Sequence, residues 1–459
     1  MDSDTIAAVA TPYGRGGIGI LRMSGNAALD IAKTLFHPPS GKSTGPYESH
    51  RFYYGRIRDP ESGRILDEVM MVYMQGPRSY TREDVVEIHT HSGPAVLRAV
   101  FELVLARGAR PAEPGEFTRR AFFNGRIDLS QAEAVMEIVS AESRASLEIA
   151  AAQIQGGLRK RIETCRAVLL DLLAEITAAI DFPEDTKALI DPEKGVERMH
   201  QHIISPLESL LIQYEQGRFF REGIRVVVAG LPNVGKSSLM NCLLDRERAI
   251  VTPHPGTTRD FLEEPLDLFG VHATIVDTAG LQETRDPVER IGIQRTREKI
   301  EEADLLLFMV DAACPETLQR ERMPVFEKPT LLVINKMDRV DPEWRPEIPE
   351  AWKRVPVASI SALHRWGIDS LKKKMVQQVL GDAAFRLEDP LVPNLRQKEA
   401  LGRALESARA ASESFSLGRS PELVCMDVND AMDALNEILG ETLRPDVLDA
   451  VFSRFCIGK

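Results

Sequence analysis

One stretch of the chain has the residue types and spacing of a phosphate-binding loop. It reads RVVVAGLPNVGKSSL, in which Gly230, Gly235, Lys236 and Ser237 follow an apolar run and precede a helix-like segment. The glycines allow positive φ, so successive backbone N–H groups can converge on phosphate oxygens. Lys236 can then reach the β- and γ-phosphates, and the Ser237 hydroxyl can ligate Mg²⁺ at the helix N-terminus. The stretch predicts a P-loop.

Further segments follow in the order of a guanine-nucleotide site. IVDTAG ends an apolar run at Asp277, where a carboxylate can hold Mg²⁺ through water, and the Gly280 N–H can contact the γ-phosphate. VINKMD supplies Asp338, whose carboxylate can accept from guanine N1–H and from the 2-amino group. Adenine lacks both donors and would leave the carboxylate desolvated and unpaired. Asn335 and Lys336 would brace the pocket.

The segment SISAL is the fifth of the sequence elements that usually form a guanine-nucleotide site. One of its backbone N–H groups is expected to donate to guanine O6. These elements together predict GTP. The predicted nucleotide-binding residues are Asn233, Val234, Gly235, Lys236, Ser237, Ser238, Thr252, Thr257, Thr258, Asp277, Thr278, Ala279, Gly280, Asn335, Lys336, Asp338, Ser361 and Ala362.

The segment AIVTPHPGTTRD lies between the P-loop and DTAG. Thr258 is the expected switch threonine, giving Mg²⁺ a second hydroxyl after Ser237. Two prolines and the lack of a strong β pattern predict a loop that GTP orders. Ras-type enzymes carry a water-orienting Gln directly after DTAG, whereas this chain has Leu281, which cannot polarise water. Gln282 comes one residue late and would point elsewhere, so another residue is needed.

Four regions must position these residues. Residues 1–118 mix short β-rich runs with Gly and Pro turns around one helix-like stretch, which predicts an α+β domain. Residues 217–380 alternate apolar runs with helix-length segments, which predicts a parallel α/β sheet. The predicted strands are Arg225–Ala229, Ala273–Val276, Leu305–Val310, Thr330–Ile334 and Val355–Ile360.

Residues 119–216 and 381–459 have helical patterns. In the first block, apolar positions step alternately by four and three, which predicts a long helix packed against another helix. The stripe is Leu158, Ile162, Cys165, Leu169, Leu172, Ile176 and Ala179, and Val424, Val428, Ala431, Leu435 and Ile438 repeat the step. We therefore predict one helical domain, split in sequence by the inserted α/β domain, with Cys165 in its core.

Composition excludes several classes of protein. The five cysteines among 459 residues are scattered and never form C-x-x-C, which argues against a disulfide framework or a zinc site. The start has no secretory or transit pattern, and no apolar run approaches ~18 residues, so we expect a cytoplasmic protein without membrane spans. The net charge of −12 repels nucleic acid. An RNA partner would need a local basic patch or another subunit.

The chain ends in SRFCIGK, which leaves three interpretations of Cys456. A lipid-anchor box is disfavoured because the final residue is Lys459, which a C-a-a-X signal does not use. A frayed tail with an incidental thiol is the second interpretation. The third is a tail that is tied down because it completes a site.

The whole chain resembles the MnmE (TrmE) family of bacterial tRNA-modification GTPases. The segments that carry the resemblance include GRGGIGILRMSG, SYTREDVVEIHTHSG, PGEFTRRAFFNGRIDLSQAEAV, AAIDFPED, PGTTRD, DTAGLQETRDPVERIGI and FCIGK. The resemblance implies an α+β N-terminal domain similar to folate-binding one-carbon transferases, a discontinuous helical domain and an inserted Ras-like G domain.

The resemblance also implies partners and chemistry. Members form homodimers through the N-terminal domain, and their G domains dimerise on GTP with K⁺ in the interface. With the flavoprotein MnmG (GidA) they form a heterotetramer that acts on tRNA. The complex installs a carboxymethylaminomethyl- or aminomethyl-type group on C5 of the wobble uridine, with 5-formyltetrahydrofolate or a related tetrahydrofolate as one-carbon donor.

Family roles fall on particular residues of this sequence. The K⁺ ligands are Asn233, Thr252, His254 and Thr257; the folate residues are Arg22, Glu87, Arg126 and Lys459; and the water-activating carboxylate is Glu289. The alternative for Glu289 is a solvated helix-start residue. Cys456 becomes a candidate nucleophile or acid, although buried unreactive cysteines are common. Arg82 stands where many members have Gly, and HSG replaces HGG.

Three other functions compete with this interpretation. A ribosome-assembly GTPase of the Era or Der type would need a basic RNA-binding module after the G domain, and residues 381–459 lack one. A folate-dependent one-carbon transferase with a regulatory G domain overlaps with the main interpretation. A scaffold GTPase that only positions a partner would give no function to Arg22, Glu87 and Lys459.

Overall fold

The computed structural model divides into two compact units. One unit comprises Met1–Met136, Gln153–Ile204 and Arg403–Lys459, and the other comprises Glu137–Ala152 and Ser205–Gly402. The structure describes residues 4–12, 14–39, 46–182, 191–244, 263–277, 300–314, 328–341, 343–344, 348–381, 390–442 and 445–459.

A mixed sheet of seven described strands opens the first unit. In chain order these strands are β1 (Ile6–Val9), β2 (Ile18–Ser24), β3 (Phe36–His37), β4 (Arg51–Arg58), β5 (Ile65–Met74), β6 (Val85–His91) and β7 (Arg110–Pro111). Their spatial order is β3-β4-β5-β6-β2-β1-β7, and β7 pairs parallel with β1. Helices α1 (Ala28–Leu35) and α2 (Pro94–Ala106) pack on one face, where Leu21, Ile88, Leu97 and Val100 are fully buried. Alternating burial along the strands leaves the other face for polar chemistry.

The helices that follow include the predicted long one. They are α3 (Glu116–Phe123), α4 (Leu129–Ser140), α5 (Arg144–Ile154), α6 (Gly157–Asp181), α7 (Pro192–Met199), the π-helical turn His200–Ile204, and α8 (Ser205–Glu222). Beyond the second sheet lie α11 (Leu395–Ser416), α12 (Pro421–Leu439) and α13 (Pro445–Phe452).

The heptad stripe is confirmed. All seven of its positions on α6 are buried, and α6 packs against α12, whose own stripe is buried as well. Cys165 is 2% exposed, and its Sγ lies 3.5 Å from the carbonyl oxygen of His202. Burial raises the pKa of this thiol to about 11, because the thiolate would lose its hydration. Cys165 is therefore a core residue.

The second unit contains the predicted parallel sheet. Its strands are β8 (Ile224–Gly230), β9 (Glu263–Leu268), β10 (Val271–Asp277), β11 (Leu305–Asp311), β12 (Thr330–Asn335) and β13 (Val357–Ser359), and its helices are α9 (Lys236–Leu244) and α10 (Ile368–Leu380). The order β13-β12-β11-β8-β10-β9 is parallel except for the β9–β10 pair. The carboxyl ends of parallel strands meet at one edge, so Gly230, Asp311 and Asn335 converge there.

Strand β9 was not predicted. Its sequence EEPLDL carries three acids and a proline, which together hide a β pattern. The strand lies at the edge of the described sheet and pairs only with β10 there. Edge strands tolerate proline and charge because one side of their backbone needs no partner.

A charged cluster ties the start of β1 to α3. Arg110 forms ion pairs with Asp4 at 2.7 Å and with Glu116 at 2.6 Å. Arg120 pairs with the same two carboxylates, at 2.7 Å and 3.0 Å, and also with Glu83 at 3.2 Å. Burial alone would raise the pKa of Glu116, but hydrogen bonds from Arg110, from the Glu113 backbone and from Arg120 hold it below its usual value. The pKa of Asp4 is lowered by the same two arginines against the effect of its burial.

We expect this cluster to make the protein acid-sensitive. A carboxylate whose folded pKa is lowered contributes stability above its unfolded pKa, about 4.3 for Glu and 3.9 for Asp, and that stability is lost as pH falls through the folded pKa. The free energy of unfolding should therefore fall below pH ~4. Glu116→Gln should cost about 1.5–3 kcal/mol at pH 7, because Arg110 and Arg120 each lose a charge-assisted hydrogen bond to a buried carboxylate while keeping their pairing with Asp4. It should also flatten the acid limb of a plot of unfolding free energy against pH.

Chemical denaturation monitored by circular dichroism measures both effects. Glu102→Gln is the matched control, because Glu102 pairs with Arg98 but is 61% exposed. If both variants lose the same stability at pH 7, the burial argument is wrong.

Candidate functional site

The P-loop takes the conformation that its glycines allow. Gly230 has φ +146°, Gly235 has φ +100° and Asn233 has φ +67°. A Cβ on Gly230 would lie 2.4 Å from the Met309 carbonyl oxygen, and one on Gly235 would lie 2.3 Å from Asn335 Nδ2. Side chains at both positions would therefore clash with the neighbouring strands, and the loop can wrap closely around a phosphate only with glycine there.

Lys236 lies across this loop. Its ammonium donates to the carbonyl oxygens of Gly230 at 2.9 Å and Leu231 at 3.0 Å, and the residue is only 6% exposed. It begins α9, and the exposed Ser237 comes next on the same first turn. A cation and a hydroxyl at a helix N-terminus are placed to receive phosphate oxygens and the Mg²⁺ that accompanies them.

Asn335 and Lys336 connect the loop to the base-binding side. Asn335 Nδ2 donates to the Val234 carbonyl at 2.9 Å, and Lys336 Nζ donates to the Asn233 carbonyl at 2.7 Å. Lys336 Nζ also contacts Asp311 Oδ2 at 2.6 Å. Lys336 itself has φ +63°, a conformation that costs a non-glycine residue energy and that the surrounding contacts must hold. Asp311 is a supporting residue that the sequence motifs did not indicate.

Asp338 is held as an oriented carboxylate. Ser361 Oγ donates to Asp338 Oδ1 at 2.6 Å, and His364 Nε2 lies 4.0 Å from Oδ2. The hydrogen bond from Ser361 lowers the pKa of Asp338, so the group is charged at neutral pH. The ring of His364 stacks on Trp366 at 5.1 Å, which places an aromatic surface beside the carboxylate.

The backbone N–H of Ala362, in the SISAL segment, has a partner within the protein. It donates to Asn335 Oδ1 at 3.0 Å and is thus already used within the protein. This contact braces Asn335.

The remaining predicted nucleotide residues have less structural description. Val234 is buried, and Asn233 and Ser238 are exposed. Asp277 ends β10 at the same edge of the sheet. The predicted positions that lie outside the described residues are Thr252, His254, Thr257, Thr258, Thr278, Ala279, Gly280 and Glu289.

A second constellation lies on the open face of the N-terminal sheet. Arg22 on β2 and Glu87 on β6 are directly paired in the strand register, and Arg22 Nε donates to Glu87 Oε1 at 2.8 Å. Their side chains are 23% and 15% exposed, so the pair is half-buried yet reachable. His89, two positions along the same strand, lies 3.3 Å from the second carboxylate oxygen of Glu87.

Aromatic rings surround this ion pair. The Arg22 guanidinium lies 5.7 Å from the ring centroids of both Tyr80 and Phe117. Arg126 lies 4.6 Å from the Tyr80 centroid and donates to the Tyr80 carbonyl at 3.1 Å. Tyr80 therefore links two arginines that are far apart in sequence. Tyr80 and Phe117 were not among the predicted site residues, although both lie within segments that carried the family resemblance.

The chain terminus is anchored at the same place. Arg22 donates to the Gly458 carbonyl at 3.3 Å, Phe455 is buried beside Phe452, and Gly458 is buried with φ +95°. A Cβ on Gly458 would lie 2.7 Å from the Val9 carbonyl oxygen, so only glycine fits. Cys456 is exposed. The structure thus brings Arg22, Glu87, Arg126 and the tail that ends in Lys459 into one region, and the tail is not frayed.

Arg82 occupies a strained position near this region. Its φ of +61° lies in the left-handed range, which costs a side chain-bearing residue about 1–2 kcal/mol. Its guanidinium donates to the Asn124 carbonyl at 2.9 Å, and the Asn124 amide donates back to the Thr81 carbonyl. These bonds hold the turn in the conformation that a glycine would adopt freely.

Comparisons with known proteins identify the chain's relatives. The family model described as the MnmE helical domain matches residues 129–456, and that of the GTP-binding protein TrmE N-terminus matches residues 5–126. The tRNA modification GTPase MnmE of Chloroflexus aurantiacus is 46% identical over 461 residues, and that of Carboxydothermus hydrogenoformans is 43% identical over 462 residues. Both alignments cover 100% of this chain and 100% of the relative.

Among solved structures, a variant of Era from Aquifex aeolicus bound to GDP and aluminium fluoride is similar over 40% of this chain and 66% of its own. The identity is 27% and the TM-score is 0.27. Within the described residues, no helix is long and apolar enough to cross a membrane. The full-length identities above 40% and the two matched family models together show that the chain belongs to the MnmE (TrmE) family of tRNA modification GTPases.

Proposed function

We propose that this GTPase works with a flavoprotein partner, MnmG, to form the carboxymethylaminomethyl or aminomethyl group of the tRNA wobble uridine from a tetrahydrofolate one-carbon donor. The observation that carries this proposal is the convergence of Arg22, Glu87, Arg126 and the anchored tail around Tyr80. In this proposal the chain is a cytoplasmic homodimer, with an N-terminal domain (1–118), a helical domain in two parts (119–216 and 381–459) and a G domain (217–380).

The second site has the chemistry that a reduced folate needs. A carboxylate such as Glu87, oriented by its bond from Arg22, can accept paired N–H groups from a pterin edge, and Arg126 can pair with the carboxylates of the glutamate end. The half-buried ring of Tyr80 offers aromatic surface to the flat rings, whereas Phe117 is fully buried. Lys459 adds a cation, and the exposed thiol of Cys456 lies three residues before it. A folate supplies the one-carbon unit, while these residues bind and orient it.

The first site explains GTP binding but leaves hydrolysis incomplete. We assign Lys236 and Ser237 to phosphate and Mg²⁺ and Asp338 to guanine; the position of the first two at the start of α9 and the Ser361 hydrogen bond to Asp338 support these roles. No glutamine follows DTAG directly, so a different group must supply transition-state stabilisation. We propose that K⁺, held by Asn233 with Thr252, His254 and Thr257, provides positive charge there and that Glu289 orients the attacking water.

Hydrolysis should therefore depend on the monovalent cation. We expect turnover in KCl to exceed turnover in NaCl at equal ionic strength by about 10²-fold or more, the scale of lost electrostatic transition-state stabilisation. Phosphate release measured at several protein concentrations should also rise more than linearly, because the G domains act as a pair. Identical rates in the two salts would remove K⁺ from the mechanism.

The variant Glu289→Ala distinguishes between two roles for this residue, a catalytic carboxylate and a solvated surface carboxylate. A group that acts only in the transition state should lower kcat, by about 10²–10⁴-fold for an acid–base role, and leave GTP affinity nearly unchanged. Single-turnover hydrolysis and titration with a fluorescent GTP analogue measure the two quantities. Glu301→Ala, on an exposed residue of the described segment, is the control. A fall in affinity with unchanged kcat would make Glu289 a binding or folding residue.

Folate binding tests the wider proposal directly. Calorimetric titration of the full chain with 5-formyltetrahydrofolate should show binding that Glu87→Gln and Arg22→Ala each weaken. Removing one charge-assisted contact should cost about 1.5–3 kcal/mol. If the wild-type chain does not bind this ligand, it is a scaffold GTPase without folate chemistry.

A further inference from the structure

A basic pocket adjoins the proposed folate site. It has a volume of about 540 Å³, and its lining includes the side chains of Arg78, Arg82, Arg126, His50 and Tyr80. The other lining residues that the structure describes are Met74, Pro77 and Ser79, so none of the described lining residues is a carboxylate. Three guanidiniums thus line one open pocket in a chain whose net charge is −12.

Among the described residues, no carboxylate forms an ion pair with Arg78, Arg82 or Arg126. Arg82 and Arg126 donate to the carbonyl oxygens of Asn124 and Tyr80, which carry no formal charge. The guanidinium of Arg78 makes no hydrogen bond or ion pair within the part of the chain that the structure describes. Like charges repel, so placing these groups together is costly unless an anion joins them. The pocket is therefore built for a ligand with several negative charges.

The strain at Arg82 supports a ligand-binding role. The residue sits at φ +61°, where glycine would be relaxed, and its side chain lines the pocket. Backbone strain that the surrounding structure maintains is characteristic of functional positions.

The pocket and the proposed folate site share two residues. The Tyr80 ring centroid lies 5.7 Å from the Arg22 guanidinium and 4.6 Å from that of Arg126, and both Tyr80 and Arg126 line the pocket. A folate whose pterin end meets Glu87 would direct its glutamate end past Arg22 and Tyr80 toward Arg126. Any further negative charges on that end would then reach Arg82 and Arg78.

We infer that this pocket binds the γ-linked polyglutamate tail of a folate, so that the enzyme prefers polyglutamylated over monoglutamylated one-carbon donors. The inference rests on the folate function proposed above. Each added glutamate brings one carboxylate, which suits bidentate pairing with a guanidinium. The pocket is open and shares Tyr80 and Arg126 with the proposed folate site, which favours a chain that extends from a folate bound there. Carboxylates of a tail therefore fit better than RNA phosphates.

Calorimetry of the full chain with mono- and pentaglutamyl 5-formyltetrahydrofolate tests the inference. The wild type should bind the pentaglutamyl form about tenfold or more tightly, since one to two charge-assisted contacts are added, and added salt should reduce the difference. Arg78→Ala and Arg82→Gly should each remove most of that preference while leaving monoglutamate affinity unchanged. Arg98→Ala, which removes the same charge from α2, should change neither the preference nor the monoglutamate affinity.

Arg82→Gly also guards against a folding artefact. Because glycine accepts positive φ, the thermal midpoint of the Arg82→Gly protein should equal or exceed that of the wild type. Loss of the preference for pentaglutamyl folate then cannot reflect unfolding. Equal affinity of the wild type for the two folates would overturn the inference and leave folate function intact. Absence of binding to either folate would overturn both. If the variants instead lose affinity for an anticodon-arm RNA and keep the folate preference, the pocket belongs to RNA phosphates and the inference is wrong.

Discussion

Deleting the last four residues, Cys456 to Lys459, should abolish folate binding and tRNA modification while GTP hydrolysis survives. The tail reaches the proposed folate site through the Arg22 bond to the Gly458 carbonyl and the burial of Gly458 against Val9. The deletion removes both anchors and the Lys459 cation. The P-loop residues belong to the other compact unit, so nucleotide turnover has no need of the tail.

Milder variants divide the roles within the tail. Lys459→Ala should weaken folate binding by about 1.5–3 kcal/mol, the value of a charge-assisted contact. Cys456→Ser is nearly isosteric and should spare folate binding. It should impair modification only if the thiol takes part in the chemistry. Wild-type modification by Cys456→Ser would reduce that cysteine to a structural position, and folate binding by the deleted protein would place the site elsewhere.

The second large effect is expected at the base-recognition carboxylate. Asp338→Asn replaces one acceptor oxygen with a donor, so GTP affinity should fall by a few kcal/mol and xanthine nucleotides should be favoured. The Ser361 hydrogen bond holds the carboxylate in place and keeps it charged, which makes the loss of its negative charge costly for guanine recognition. Competition titrations with GTP, XTP and ATP measure the switch.

Two variants calibrate this prediction. Ser361→Ala should weaken GTP binding less than Asp338→Asn, because the carboxylate remains and only its orientation is loosened. Asp341→Asn is the matched control, since Asp341 caps the neighbouring turn through the Glu343 N–H. If the wild type binds GTP and ATP equally well, Asp338 does not read guanine.

Local patterns allowed much of this architecture to be predicted. The parallel strands β8, β10, β11 and β12 agree with the predicted runs to within a few residues, and every position of the α6 stripe is buried. Strand β9 escaped prediction because its charges and Pro265 are tolerated only through its edge position. The use of the Ala362 N–H by Asn335 also escaped it, because that bond joins two elements 27 residues apart.

The sequence by itself determined the P-loop, the predicted base-reading residues and the helix packing. Loop conformation, base chemistry and heptad burial follow from residue types at fixed short spacings, which backbone geometry translates directly into neighbours in space. Only the tertiary structure decided how the second site is assembled. The contact between Arg22 and Gly458 spans 436 residues, and Tyr80 joins two arginines from different segments. Such contacts arise because β2, β6, α3 and the tail are packed together by burial of apolar surface, which short-range spacing does not encode.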